Sequence, residues 1–329
     1  MKKRTSFLIH IGALVVILVG ILFLISDSSH IFKAPGYDAT APTDTKMAQL
    51  ARWIPAGADF FVAADVPKAL ANQELAASLT RVAEGRSGVV ADLISALMEE
   101  PGSIGLLCVL GRLGEMRSRS EIALLAQGGF DEETLLPAVR SAMSAGHSGV
   151  AAQNLEWTTI YTESDSRDPF GFMFLDGTHL AAGDRASLLA MYEKKPEPTK
   201  VQMVAKDQTI VGYIAIGERL RRSAPEEMYL PDAAYITSPD GTLVTVRIPC
   251  DDDEKAQSVM MLLEGIRSLM TIQQEPKGDG GLGAVLGGMT MKATDGDVVI
   301  EAKLASLIDL WVGGEGKTPP QSPQAPEGR

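Results

Sequence analysis

Histidine, cysteine and aromatic residues are scarce in this chain, and each shortage removes a class of function. There are four histidines (His10, His30, His147, His179), two cysteines and no C-x-x-C, which leaves no ligand set for a transition metal. Basic residues are also in the minority, 30 against 42 acidic, for a formal net charge of −12. Nucleic acid and anionic lipid surfaces both select a basic face, so this balance argues against both as partners. No convergent catalytic set, cofactor motif or metal-ligand spacing emerges, and catalytic, cofactor and metal residues are all read as none.

What the chain does have is one long apolar run. Phe7 to Ile25, FLIHIGALVVILVGILFLI, is 19 residues without a formal charge, His10 its one polar side chain. As a helix it spans roughly 28 Å, close to the ~30 Å hydrocarbon core of a bilayer. It exceeds the ~7–15 residues of a signal-peptide core, and no small-x-small cleavage site lies close beyond it. Lys2, Lys3 and Arg4 precede it and keep that end cytoplasmic by the positive-inside rule. The reading is a single-pass anchor in a bacterial inner membrane, with the C-terminal bulk in the periplasm or outside the cell. Without those three cations the rest carries 27 basic and 42 acidic residues, a balance of −15.

Composition divides the chain into segments. Residues 1–6 are the basic cytoplasmic end and 7–25 the anchor. Residues 26–46 are polar, small and broken by Pro35 and Pro42; they read as a flexible stalk with a reach of roughly 25 Å. Residues 313–329 carry Pro319, Pro320, Pro323 and Pro326 and no large apolar side chain, a disordered tail. Lys194–Lys200, KKPEPTK, is the best internal boundary, giving α+β units at 47–195 and 200–312.

Within these units the strongest cue is an Asp-Gly pair used three times, at Asp176-Gly177, Asp240-Gly241 and Asp295-Gly296, each between strand-like runs. Asp-Gly tolerates the positive φ of tight hairpin turns. A helix is predicted after each hairpin: one capped by Asp184, a long one from Asp252 to about Ile272, and a last one over 305–312. The long helix carries Val259, Leu262, Leu263, Ile266, Leu269 and Met270 on one stripe. Strands are also predicted at Asp59–Asp65, Ile104–Leu110 and Glu121–Gln127, and helices from Pro67 to about Ala83 and over 87–99. The fold class is therefore α+β: an N-terminal transmembrane helix, then two tandem antiparallel-sheet units with helices packed on one face. One continuous sheet through both halves is the alternative.

Three local patterns suggest chemistry. Gly278, Gly280 and Gly283 form G-x-G-x-x-G, but a dinucleotide turn needs a strand before it and here a helix and Pro276 precede it. Gly146-His147-Ser148-Gly149 misses the nucleophile-elbow spacing by one residue. Asp251, Asp252, Asp253 and Glu254 open the long helix, where exposed N–H groups favour acidic residues, so capping is read over cation binding. Cys108 and Cys250 are an even pair that permits one disulfide in an oxidising compartment, although Cys108 sits in a buried-looking LLCVL. Arg219, Arg221 and Arg222 read as part of a solvated mixed-charge face.

The stretch WIPAGADFFVAADVPKAL, Trp53–Leu70, resembles the opening of uncharacterised bacterial envelope proteins that have an IPAxA entry, a strand and then a helix starting near proline. FLDGTHLAAGDRASLLAMY and VRIPCDDDEKAQSVMMLLEGI are similar to their hairpin–helix units, so the likeness covers much of residues 50–312. It implies an architecture and brings no activity, cofactor or catalytic residue.

The functional expectation is a non-enzymatic interaction or scaffold module of the bacterial cell envelope. Its partners would be the bilayer, through Phe7–Ile25, and an envelope protein. The alternatives are a small-molecule or peptide binding module and an unrecognised hydrolase.

Overall fold

The three Asp-Gly pairs that stand between strand-like runs all lie at hairpins, and the sheet is built outward from them. The structure, a computed structural model, describes residues 43–85, 104–112, 121–130, 132–133, 136–137, 150–163, 170–193, 208–215, 229–274 and 287–307. The anchor Phe7–Ile25 with Lys2, Lys3 and Arg4, the 87–99 helix, the Gly146–Gly149 and Gly278–Gly283 patterns, Lys194–Lys200, Arg219–Arg222 and the tail lie outside these residues. Among the described residues no helix is long and apolar enough to cross a membrane.

In chain order the elements are α1 (Thr43–Ala51), β1 (Phe60–Asp65), α2 (Val66–Ala71), α3 (Gln73–Gly85), β2 (Ile104–Arg112) and β3 (Glu121–Gly128). Then come β4 (Val150–Asn154), β5 (Thr159–Glu163), β6 (Phe170–Asp176), β7 (His179–Asp184), α4 (Arg185–Glu193) and β8 (Ile210–Ala215). The chain continues through β9 (Ala233–Ser238), β10 (Leu243–Pro249), α5 (Asp253–Gln274), β11 (Thr290–Thr294) and β12 (Asp297–Lys303).

The hairpins are β6–β7, β9–β10 and β11–β12. Only the last uses its Asp-Gly as a two-residue turn with both residues at positive φ, Asp295 at 50° and Gly296 at 76°. In β9–β10, Gly241 alone has positive φ, 77°. Asp240 and Asp176 instead accept the backbone N–H two residues on, from Thr242 at 2.9 Å and Thr178 at 2.8 Å. These are Asx turns, a second way in which aspartate closes a hairpin.

The two expected sheets are one. Twelve strands lie in the order β11-β12-β10-β9-β8-β1-β2-β3-β7-β6-β5-β4, each neighbouring pair antiparallel. The halves still repeat their wiring. From the centre outward, the first runs β1-β2-β3-β7-β6 and the second β8-β9-β10-β12-β11, with the last two strands crossed in the same way. They meet where β1 pairs with β8, Phe61 opposite Tyr213 and Ala63 opposite Val211. Each strand alone would be an apolar edge with a row of unpaired amides and carbonyls, and joining the edges satisfies both. Phe61 and Tyr213 stack at 6.1 Å, and Tyr213 meets its partner on the next strand, Tyr235, at 5.7 Å.

Helices cover both faces of this sheet, a correction to the one-face expectation. Successive strand residues point to opposite sides. Ala233 of β9 joins the core formed with Met47, Leu50 and Trp53 on and just beyond α1 and with Leu188 and Met191 of α4. Its neighbour Ala234 joins the core of Ala256 and Val259 on α5. Both faces of β3 are buried accordingly, from Ile122 through Ala126.

Two segments depart from the form expected of them. Thr43–Lys46, assigned to the stalk, form the first turn of α1. Lys46 is buried there and its Nζ lies 2.7 Å from Asp65 Oδ2, with side-chain exposures of 4% and 0%. Further on, the single helix expected from Pro67 breaks at Asn72. Its Oδ1 accepts the Leu75 N–H, capping α3, while its Nδ2 donates to Asp240 O and Thr242 Oγ1 across the sheet.

Candidate functional site

A cleft of about 490 Å³ opens at the end of the sheet where the β4–β5 and β6–β7 turns lie side by side. Its wall combines Phe130, Trp157 and Phe174 with Glu132, Asn154, Thr158, Thr159 and Asp176. This volume falls in the range of small-ligand sites. Three elements build it. The end of β3 delivers Phe130, and the β6–β7 hairpin delivers Phe174 and Asp176. The β4–β5 hairpin delivers residues 154–159, with its turn closed by the Leu155 N–H to Thr158 O bond of 2.8 Å.

Aromatic rings brace the cleft from behind. Trp157, 44% exposed, stacks on Tyr192 of α4 at 5.1 Å and meets Trp53 at 5.8 Å. Trp53 in turn lies 6.0 Å from the His179 ring. On the opposite sheet face Tyr161 stacks on Phe172 at 5.0 Å and its hydroxyl lies 3.4 Å from Glu132 Oε1.

Asp176 is the most constrained charge in the wall. Its Oδ1 accepts from the Thr178 N–H at 2.8 Å, and Thr178 Oγ1 and His179 Nδ1 each lie 2.9 Å away. Among the described residues its Oδ2 meets only the exposed Arg52 guanidinium, 3.7 Å distant. Partial burial works against the ionised form. The hydrogen bond and charge of His179, with the Thr178 contacts, outweigh it and hold the Asp176 carboxyl well below the usual carboxylate range.

An Asp beside a His suggests acid–base chemistry, and the sequence reading missed this pair because both residues were absorbed into a turn. The geometry does not match a hydrolytic triad. There the acid and the nucleophile occupy opposite ring nitrogens. Here Asp176 and the Thr178 hydroxyl both sit at Nδ1, and His179 Nε2 is buried without a hydrogen-bond partner. His179 itself is fully buried opposite Gln127 in β3. The ring therefore acts as a wedge that orients the Asp176 carboxylate toward the cleft.

Of the other sequence candidates, the acidic run at α5 and the Asp184 cap lie within the described residues. Among the described residues no group of three or more His, Cys, Asp or Glu side chains is placed to hold a metal ion. In the acidic run at α5, Asp252 Oδ1 accepts the Lys255 N–H at 2.8 Å, Asp251 pairs with Lys255 Nζ at 2.7 Å, and Asp253 accepts the Gly296 N–H at 2.6 Å. The cap is thus Asp252, one residue later than the Asp251–Glu254 spacing suggests. Asp184 does cap α4, accepting the Ser187 N–H at 2.9 Å.

Cys108 and Cys250 are both free thiols, so the disulfide that an even pair permits is not formed. Cys108 is in β2 and Cys250 comes just after β10, four strand spacings away, roughly 19 Å and far beyond disulfide reach. Burial pushes the Cys108 thiol up. Burial and then the charges of Asp297, Asp251 and Asp252 do the same to Cys250.

No protein-family model matches the chain, and no curated protein matches it. Among solved structures the chain is similar to crystal form I of TP0453, at 12% identity and a TM-score of 0.41, over 83% of this chain and 97% of that one.

Proposed function

We propose that the chain is a non-enzymatic interaction module of the bacterial envelope, tethered by Phe7–Ile25 with its bulk outside the cytoplasm, and that the cleft is its contact site. One observation carries this reading: the cleft is built from what the repeat does not supply. The second half has no counterpart of β4–β5 or α1 among the described residues, and these elements bring Asn154–Thr159, Arg52 and the Trp53 brace. A hairpin added to a finished sheet edge, ending in a half-exposed tryptophan, supports a binding role over a packing one.

A second contact surface is favoured by α5. Its apolar stripe is buried at Val259 but exposed at Ile266 (45%) and Leu269 (62%). A partner seated there would make the protein a scaffold rather than a cleft binder.

The test is purification of the full-length protein from its own cells in mild detergent, with mass spectrometry of co-eluting proteins. Loss of a stoichiometric partner in Trp157→Ser, but not in Leu269→Ser, supports the cleft. The reverse pattern moves the contact to α5. A solitary protein in every case counts against a protein partner and leaves the cleft to a small molecule.

A further inference from the structure

The hydrogen bonds of the cleft wall select a ligand class. Both lining threonines have committed their hydroxyl hydrogens: Thr158 Oγ1 donates to Phe174 O at 2.6 Å and Thr159 Oγ1 to Asn154 Oδ1 at 3.1 Å. Two backbone donors are committed as well, Leu155 N–H to Thr158 O and Phe130 N–H to Gly177 O. The wall still offers acceptor capacity. Among the described residues, Asp176 Oδ2 meets one loose, solvent-exposed cation at 3.7 Å, and Glu132 meets the Tyr161 hydroxyl through Oε1, at 3.4 Å, and nothing through Oε2. Trp157 adds an aromatic surface beside these oxygens.

Two carboxylates in one wall repel anions and reward N–H donors. An indole beside two carboxylates adds cation–π attraction. The exterior balance of 27 basic to 42 acidic residues draws cations toward the surface as a whole. We infer that the cleft binds an organic cation, an ammonium or guanidinium group on a short aliphatic stem, which places its N–H groups on Asp176 and Glu132 and its stem along Trp157. This rests on the reading of the cleft as the contact site. The same group is offered by a free polyamine and by a lysine or arginine side chain of a protein.

The experiment is calorimetric titration of the full-length protein in non-ionic detergent. The probes are agmatine, a tripeptide Gly-Arg-Gly blocked at both ends, the neutral isostere n-butanol and the anion glutarate. Agmatine or the tripeptide should bind at least about tenfold tighter than butanol, with no glutarate binding, and weaken several-fold on raising salt from about 50 to about 500 mM. Glu132→Gln and Asp176→Asn should each weaken the cation by about tenfold while leaving butanol unchanged. Glu132 is exposed, so its variant tests the site even where Asp176→Asn loosens the hairpin. A tripeptide stronger than agmatine identifies a protein side chain as the source, and the reverse identifies a small polyamine. Equal binding of butanol, or cation binding unmoved by both variants, overturns the inference, as does the absence of cation binding. In those cases a partner still lost in Trp157→Ser leaves the cleft reading standing and shows that only the ligand chemistry was wrong.

Discussion

Lys46 and Asp65 make the sharpest energetic test of the fold. Their charges are 2.7 Å apart with side-chain exposures of 4% and 0%. Asp65 is also engaged through Oδ1 by the Lys68 N–H at 3.3 Å, as the cap of α2. Removing one member strands the other charge in the interior, which costs about 3–5 kcal/mol. Lys46→Met keeps the side-chain length and α1 packing but leaves the carboxylate with its cap bond. Asp65→Asn keeps a capping oxygen and leaves the ammonium without its ion partner. Each single variant should therefore lose about 3–5 kcal/mol. The double variant strands no charge and should fall only about 0–2 kcal/mol below wild type, so the cycle should show coupling of several kcal/mol.

The assay is urea unfolding of the full-length protein in detergent, monitored by tryptophan fluorescence, since Trp53 is buried just past α1. At an m-value of about 3 kcal/mol/M the single variants should shift the midpoint down by about 1–1.7 M with m unchanged. Additive losses in the double variant would refute the reasoning. So would single variants within about 1 kcal/mol of wild type, because both outcomes require the pair to be solvated rather than buried.

The seam, the cleft and the thiols give three further expectations. Tyr213→Ala should cost about 3–5 kcal/mol, because Tyr213 is buried at the β1–β8 seam and contacts two aromatic partners across strands; a loss confined to the second half in hydrogen exchange would show that the halves unfold separately. The folded Asp176 carboxyl titrates below its unfolded value of about 4, so its stabilisation is complete above that pH and is lost as pH falls below it. The Tm gap between wild type and Asp176→Asn should accordingly narrow between about pH 4 and pH 2, and a gap independent of pH would contradict the assignment. Under non-reducing conditions maleimide should label half-buried Cys250 slowly and Cys108 only after unfolding, two labels in all; no second label in denaturant would mean that the thiols are bonded.

The features legible in the sequence are those that local chemistry determines. Asp-Gly between two strand-like runs marks each of the three hairpins, and Asp184 before an apolar helix marks a cap. Elements escape where that chemistry is weak or deceptive. β4 and β5 join through Leu155–Thr158, a turn with no glycine or proline, and the six-residue β8 has no turn signal at its start. In α1, Thr43–Ala51 is polar enough to pass for stalk, because a lysine whose partner lies 19 residues on looks solvated in sequence. The free cysteines show the same limit from the other side, since an even count says nothing of four intervening strand spacings. The cleft is invisible in sequence for a simpler reason: Phe130 and Glu132, the 154–159 turn and residues 174–177 share no spacing, and only antiparallel pairing brings them together.

The repeat explains where such a site could arise. A unit of five strands with its helices is stable only when its β1-type edge is covered, and the antiparallel seam covers both edges at once. That leaves two outer ends, which are free to differ without disturbing the seam. One ends at β11, over which α5 runs. The other is extended by β5 and β4, and their turn meets the β6–β7 turn at the cleft. Asp176 shows how a shared part is adapted: its Asx bond to Thr178 recurs at Asp240 and Thr242, but only Asp176 has a histidine beside it and a cleft in front of it. The turns Asp176–His179 and Asp240–Leu243 differ only in His179 against Leu243. If binding depends on how His179 holds the Asp176 carboxylate, His179→Leu should leave the hairpin paired and weaken the cation by up to about tenfold, the loss expected for Asp176→Asn. Unchanged binding would show that the carboxylates act without the histidine contact.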